Sequence, residues 1–202
     1  MSVREKIASI VLSAGYSSRM SDFKPLLPLD SSTVIEKAIS TFTDTGISDI
    51  TVVLGNRADD LIPLLDRLRV RWVINEDYPQ GMFSSVVAGI RSLKSGISGV
   101  FLLPADVPLV RSSTVEMMIN AYESSEALVL YPVYLRQRGH PPLISSGLFP
   151  EILAWKGIDG LQKLLELHEK EAGEVEVRDE GILLDIDTPD DYKKICAILS
   201  RG

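Results

Sequence analysis

Short, nearly unbroken apolar runs rich in β-branched residues alternate with amphipathic stretches of helical period from one end of this chain to the other. The runs predict strands over Ile7–Leu12, Asp49–Leu54, Val70–Ile74, Gly99–Leu103, Ala127–Tyr131, Val175–Val177 and Leu183–Asp187. The early ones carry apolar residues on both faces, as parallel strands covered on both sides require. Between them, Val34, Ile35, Ala38, Ile39 and Phe42 share one helical face. So do Met82, Val86, Ile90 and Leu93, and then Val115, Met118, Ile119 and Tyr122. Thr33 and Glu36 read as a capping box for the first helix. The last helix opens with Thr188, Pro189, Asp190 and Asp191, and its inner stripe is Tyr192, Ile195, Cys196 and Leu199. Strand–helix alternation of this kind implies a three-layer α/β/α fold with a mostly parallel, Rossmann-like sheet, here as one domain over residues 1–202.

Such folds bind ligands beyond the carboxyl ends of their strands, so the residues just after each run are the candidate site. The first run passes directly into Leu12, Ser13, Ala14, Gly15, Tyr16, Ser17, Ser18 and Arg19, with Lys24 five positions further on. Backbone N–H groups at a tight turn can point at phosphate oxygens, a residue without Cβ permits close approach, and two cations neutralise charge locally. An ordinary βα turn with two solvated cations has the same spacing. The loop is neither a G-x-x-x-x-G-K-[ST] loop nor a G-x-G-x-x-G fingerprint.

Other strand ends add to it. Asn75 follows the third run, and Gly81, Ser84 and Ser85 open the next helix; the two hydroxyls can meet a nucleotide base or sugar, or simply cap the helix. Asp106 stands between Pro104 and Pro108 after the fourth run. A carboxylate fixed past a strand suits a hard cation, and Mg²⁺ takes one or two carboxylates plus water and substrate phosphates. Asp106 with Asp187 meets that count, while Asp106 alone could be a turn residue bonding its own backbone. Asp185 and Asp187, two apart, point to one side of an extended chain; helix-cap electrostatics is the alternative role, more so for Asp185. Arg138, Gly139, His140 and Pro141 interrupt the periodicity and either grip an anionic second substrate or form an exposed turn. His168, among Glu166, Glu169 and Lys170, reads as a solvated helix face; Cys196, Trp72 and Trp155 read as structural. With two histidines and one cysteine, no nucleophile–base pair and no cysteine metal cluster is available.

Net charge removes some partners and leaves others. A formal charge of −7 argues against a general nucleic-acid binder. It does not exclude a nucleotide, because contact charges outweigh those that salt screens beyond roughly 8 Å. No apolar run reaches the ~18 residues of a membrane span. The charged first residues and short first apolar run do not make a signal peptide. These features together point to the cytoplasm.

With those residues assembled, the chain resembles the MobA-like nucleotidyltransferases, and among them the molybdenum cofactor cytidylyltransferases. The family signature L-A-A-G-x-S-x-R-M-G-x-x-K-x-L-L-P stands here as Leu12 to Pro28. An Asn followed by Gly-Met and serines stands as Asn75 and Gly81 to Ser85. D-x-P stands as Asp106 to Pro108, R-G-H-P as Arg138 to Pro141, and D-x-D-T-P-x-D-Y as Asp185 to Tyr192. The motifs run in order across nearly the whole chain. Ser13 replaces the usual alanine and Ser21 the usual glycine. The family's G-D-x-G-A-R appears with Gln162 in place of its arginine, which removes an anion contact. Guanylyltransferase relatives carry a second glycine where Ala14 stands, so the resemblance favours CTP. The order Lys24-Pro25 separates the chain from the methylerythritol-phosphate branch.

The resemblance implies transfer of CMP from CTP to the terminal phosphate of molybdopterin. Arg19 and Lys24 would sit on the triphosphate and Mg²⁺ on Asp106 and Asp187, and a molybdoenzyme or its maturation factor is a possible protein partner. A nucleotidyltransferase acting on a sugar phosphate or another phosphorylated metabolite, and a non-catalytic nucleotide sensor or cofactor chaperone, are the alternatives.

Overall fold

The computed structural model describes residues 4–16, 20, 22–156 and 159–200. Its centre is a mixed sheet. Strand β1 (Ile7–Ser13) pairs in parallel with β4 (Ile50–Leu54) on one side and β6 (Gly99–Pro104) on the other, and β5 (Arg71–Ile74) extends it in parallel beyond β4. Beyond β6 comes the short antiparallel β9 (Leu143–Ser145), which also pairs with β7 (Val129–Tyr134). Then β10 (Ala172–Glu176) runs parallel to β7 at the far edge, giving the order β10-β7-β9-β6-β1-β4-β5. A two-residue strand, β8 (Gln137–Arg138), folds back on β7, and β2 (Pro28–Leu29) with β3 (Ser32–Thr33) makes a separate small hairpin.

Helices cover both faces, as the apolar periodicity demands. One face of β1, through Ile7 and Val11, packs against α1 (Val34–Thr43), α2 (Ala58–Leu68) and α4 (Ser112–Glu123). The other, through Ala8 and Ile10, packs against α3 (Met82–Arg91), α5 (Phe149–Ala154) and α6 (Gly160–Leu167). Every member of the expected α1 stripe is buried, and Phe42 meets Phe101 of β6 with ring centroids 5.7 Å apart. Thr33 and Glu36 form the expected capping box, and Thr188 with Asp191 forms another at the start of α7 (Pro189–Leu199). That last helix seals a third, small cluster of Leu29, Val34, Ile186 and Ile195, with Cys196 packed against it. No helix among the described residues is long and apolar enough to cross a membrane.

The sheet departs from the sequence pattern in several places. Ala127–Tyr131 and Val175–Val177 shift to Val129–Tyr134 and Ala172–Glu176. The three-residue β9 and the helix α2, with its internal Pro63, carry patterns too short or too interrupted to stand out. The expected strand Leu183–Asp187 does not join the sheet. Asp179, buried beneath it, accepts bonds from the backbone N–H groups of Gly181 and Arg111 and from the Thr114 hydroxyl, so the chain turns there and makes a 3₁₀ turn at Glu180–Leu183. Beyond that turn the segment is extended and tied by the Ile186 N–H to the Asp106 carbonyl at 2.8 Å. Its alternating apolar residues are genuine, but Ile182 and Ile186, which a single strand would put on one face, enter different clusters.

Candidate active site

A cavity of about 790 Å³ opens at the carboxyl ends of β1 and β6. Lys24 lies at its floor. A 3₁₀ turn, Lys24–Leu26, holds it with only 7% of its surface exposed. Its Nζ lies 3.0 Å from Oδ1 of Asp187 and 3.4 Å from Oδ2 of Asp106. The three functional groups therefore come from three separated segments: the loop after β1, the turn after β6 and the extended segment before α7.

The Asp106 carboxyl is held above its ordinary range. Burial dominates, Lys24 opposes it, and the neighbouring charge of Asp187 reinforces it. Two carboxylates converging on one ammonium already enclose the place of a cation. Their hard oxygens are the donors a divalent ion prefers, with its other positions left for water and phosphate. Among the described residues no group of three or more potential ligands forms a self-sufficient protein cage. The pair fits a metal shared with a phosphorylated substrate.

Lys24 is thus placed against the carboxylates rather than standing alone on the phosphate side. Arg19, its expected companion, lies outside the described residues, as does Ser21. Leu12, Ser13, Ala14 and Gly15 all line the cavity, and a Cβ built on Gly15 would meet no atom within 4 Å, so open space faces that backbone. Asp185 also lines the cavity beside Asp187, so the side-chain parity holds although the strand does not.

Asn75 is buried and away from the cavity wall. Its Nδ2 donates to the hydroxyls of Ser84 at 2.8 Å and Ser85 at 3.0 Å, and its Oδ1 accepts from the backbone of Asp77 at 3.0 Å. It acts by positioning the start of α3. Ser84 is consumed within this turn, donating to the carbonyls of Asp77 and Gly81, and does not line the cavity; Ser85 and Gly81 do. Neither serine caps the helix.

The Arg138 segment is divided. Arg138 borders the cavity, but its guanidinium is turned to carboxylates: Nε donates to Glu174 at 2.7 Å, and the two terminal nitrogens donate to Glu169 at 2.8 and 2.7 Å. It also stacks on Tyr131, 4.5 Å from the ring centroid. An anionic substrate would have to share or displace those carboxylates to reach the guanidinium fork. Gly139 has a structural reason: a Cβ there would lie 2.5 Å from the carbonyl oxygen of Ile182. The backbone N–H of His140 donates to that same oxygen, clasping the segment that carries Asp185 and Asp187. The His140 residue is exposed and borders the cavity; the nearby protein lowers its pKa by desolvation while Asp185 works the other way. Pro141 is buried away from the wall. His168 is not a solvated side chain: it ends α6, with Nε2 2.8 Å from Glu151.

The sequence pattern does not single out Tyr16, Tyr78 or the site role of Met82, which form a further part of the wall. Tyr16 directly follows Gly15, and that adjacency is the signal that could find it. Met82, which the helical period assigns to the inner α3 stripe, is 64% exposed and turned to the cavity.

Comparison with known proteins gives a consistent family assignment. The family model described as the MobA-like NTP transferase domain matches residues 9–173. The chain is similar to the molybdenum cofactor cytidylyltransferase of Escherichia coli K12, 27% identical over 187 residues, covering 92% of this chain and 93% of the relative. It is also similar to the purine catabolism protein PucB of Bacillus subtilis 168, 28% identical over 203 residues, covering 96% and 98%. Among solved structures, Rv0371c of Mycobacterium tuberculosis H37Rv superposes with a TM-score of 0.84 at 26% identity, over 95% of this chain and 97% of that one. The same protein is also known as a manganese complex, with a TM-score of 0.79 at 25% identity over 95% and 98%.

Proposed function

The chain is a nucleotidyltransferase of the MobA-like family, and on that premise we propose that it transfers CMP from CTP to the terminal phosphate of a molybdopterin-type acceptor, in the cytoplasm. The convergence of Lys24, Asp106 and Asp187 at the strand ends carries this reading. An acceptor phosphate oxygen attacks the α-phosphorus of CTP, a new P–O bond forms, the bond to the β-phosphate oxygen breaks, and pyrophosphate leaves.

Such chemistry depends on positioning and charge stabilisation. Asp106 and Asp187 would hold Mg²⁺. Bound there, it would neutralise phosphate charge and order the reacting groups. Arg19 and Lys24 bind the triphosphate and stabilise the departing pyrophosphate, and the backbone from Leu12 to Gly15 lies against the nucleotide. Ser85 and Gly81 complete that wall, with Asn75 fixing them in place. The acceptor phosphate arrives as an anion, so the transfer requires no general base. His140, Gly139 and Arg138 border the acceptor side.

A second reading keeps the nucleotide and changes the acceptor to another phosphorylated metabolite. Two observations favour it. Arg138 is committed to Glu169 and Glu174, and Gln162, where the family shows arginine, bonds Glu166. Pyrophosphate release decides between them, measured with Mg²⁺ and CTP, GTP or ATP, with and without molybdopterin. CTP-selective, pterin-dependent release supports the first reading. CTP turnover with a sugar phosphate but not with molybdopterin supports the second. Nucleotide binding without any release points to a sensor.

A further inference from the structure

The cavity has two chemically different ends. One holds the buried ammonium and three carboxylates; the other exposes large apolar side chains that a folded protein would ordinarily cover. Tyr16 is 57% exposed and Met82 64% exposed, and both open onto the cavity. Tyr16 does not stand alone. Its ring lies 5.4 Å from that of Tyr78, tilted at 54°. Tyr78 is seated in turn: it rides directly over Gly55, where a Cβ would come within 2.7 Å of its ring and within 2.8 Å of Ala14. Glycine at 55 lets the Tyr78 ring sit this low, and Tyr78 then backs Tyr16.

The two ends belong to one cavity: Tyr16 follows β1, Tyr78 reaches back from beyond β5 over Gly55 and Ala14, and Asp106 follows β6, the strand beside β1. A bare phosphate would meet only the charged end. A ligand with anionic groups at one end and a flat ring at the other meets both.

From this arrangement we infer that Tyr16, backed by Tyr78 and flanked by Met82, is a stacking shelf for the heterocycle of the nucleotide. The inference rests on the nucleotide-binding reading above and assigns the ring's place within that site. A stacking surface reads a π-face and not the hydrogen-bonding edge, so the shelf supplies affinity for any base. Discrimination between bases falls to polar groups elsewhere on the wall. Removing a base–aromatic stack weakens binding by about tenfold.

The test is calorimetric titration of the full chain, with Mg²⁺, using CTP, ATP and inorganic tripolyphosphate as separate probes. Tyr16 is exposed, so Tyr16→Ala should keep the thermal midpoint of the parent protein, and Tyr16→Phe controls for loss of the hydroxyl. We expect Tyr16→Ala to weaken CTP and ATP by the same factor of about ten, to leave tripolyphosphate unchanged, and to be rescued by Tyr16→Phe. Equal weakening of all three probes, or of none, overturns the shelf while leaving the nucleotide site standing. If the parent protein binds no nucleoside triphosphate at all, the functional reading falls and the shelf with it.

Discussion

Lys24 and Asp187, 163 positions apart in the chain, meet with Nζ 3.0 Å from Oδ1. The ammonium is nearly inaccessible, and it sits where a divalent cation would compete with it. Lys24→Met removes that competitor and leaves two carboxylates without their counter-charge. Mn²⁺ binding in the absence of nucleotide, followed by its paramagnetic resonance signal, should be tighter in the variant. Turnover should fall by about 10²-fold, since on the proposed reading Lys24 stabilises the transferring phosphates. Unchanged Mn²⁺ affinity would show that ammonium and metal do not share the place.

Asp106→Asn separates stability from activity. Burial raises the folded-state pKa of this carboxyl, so its favourable contribution to stability is complete below the unfolded value of 3.8 and is lost as pH rises through the higher folded value. At neutral pH the ionised group is a net cost. The asparagine variant should therefore have a urea midpoint at pH 7 equal to or above that of the parent, with any gain shrinking as pH falls toward 4. Its turnover should drop by about 10³-fold. A clear loss of stability at pH 7 would mean that the ion pair with Lys24 outweighs burial.

Asn75→Ala tests a residue that works from behind the wall. It strips partners from Ser84, Ser85 and the Asp77 N–H. Leaving the buried Ser85 hydroxyl without this partner should lower unfolding free energy by about 1–3 kcal/mol. The nucleotide KM should rise more than kcat falls, as α3 loosens. Denaturant unfolding and steady-state kinetics read the two effects separately.

Two alanine substitutions at glycine should give opposite results. At Gly15 nothing stands within 4 Å of the new Cβ, so stability should hold while the methyl obstructs the ligand. At Gly139 the methyl would press on the Ile182 carbonyl at 2.5 Å. Overpacking of this kind costs about 1–3 kcal/mol, and it would also displace the segment bearing Asp185 and Asp187. Thermal melts with and without CTP distinguish them: Gly15→Ala keeps the melt and loses the ligand-induced shift, and Gly139→Ala lowers the melt itself.

The layered architecture is readable in the sequence because parallel strands and amphipathic helices leave strong periodic signals, and β1, β4, β6, α1 and α7 carry them cleanly. Lys24, Asp106 and Asp187 come forward for a related reason, since each lies at or beyond the carboxyl end of a predicted strand. How side chains are shared leaves no such trace. Arg138 looks available in sequence and is held by Glu169, in a 3₁₀ turn, and Glu174, on β10, both distant in the chain. Asn75 looks like a ligand contact and is a buried brace. The segment before α7 has the alternation of a strand, but Asp179 redirects it, and that buried carboxylate gives no local signal. Tyr78 reaches Tyr16 over Gly55, just past β4, where the missing side chain leaves room.

The segment from Asp185 to Asp187 is clasped at Ile182 by His140 and at Ile186 by Asp106, yet belongs to no strand. On a ribosome, the sheet through β6 could be complete while the second carboxylate was still in the exit tunnel. On the proposed reading, such a nascent chain would hold only half of its metal pair. One of the last segments to leave the ribosome thus carries one of the two carboxylates that the proposed metal needs.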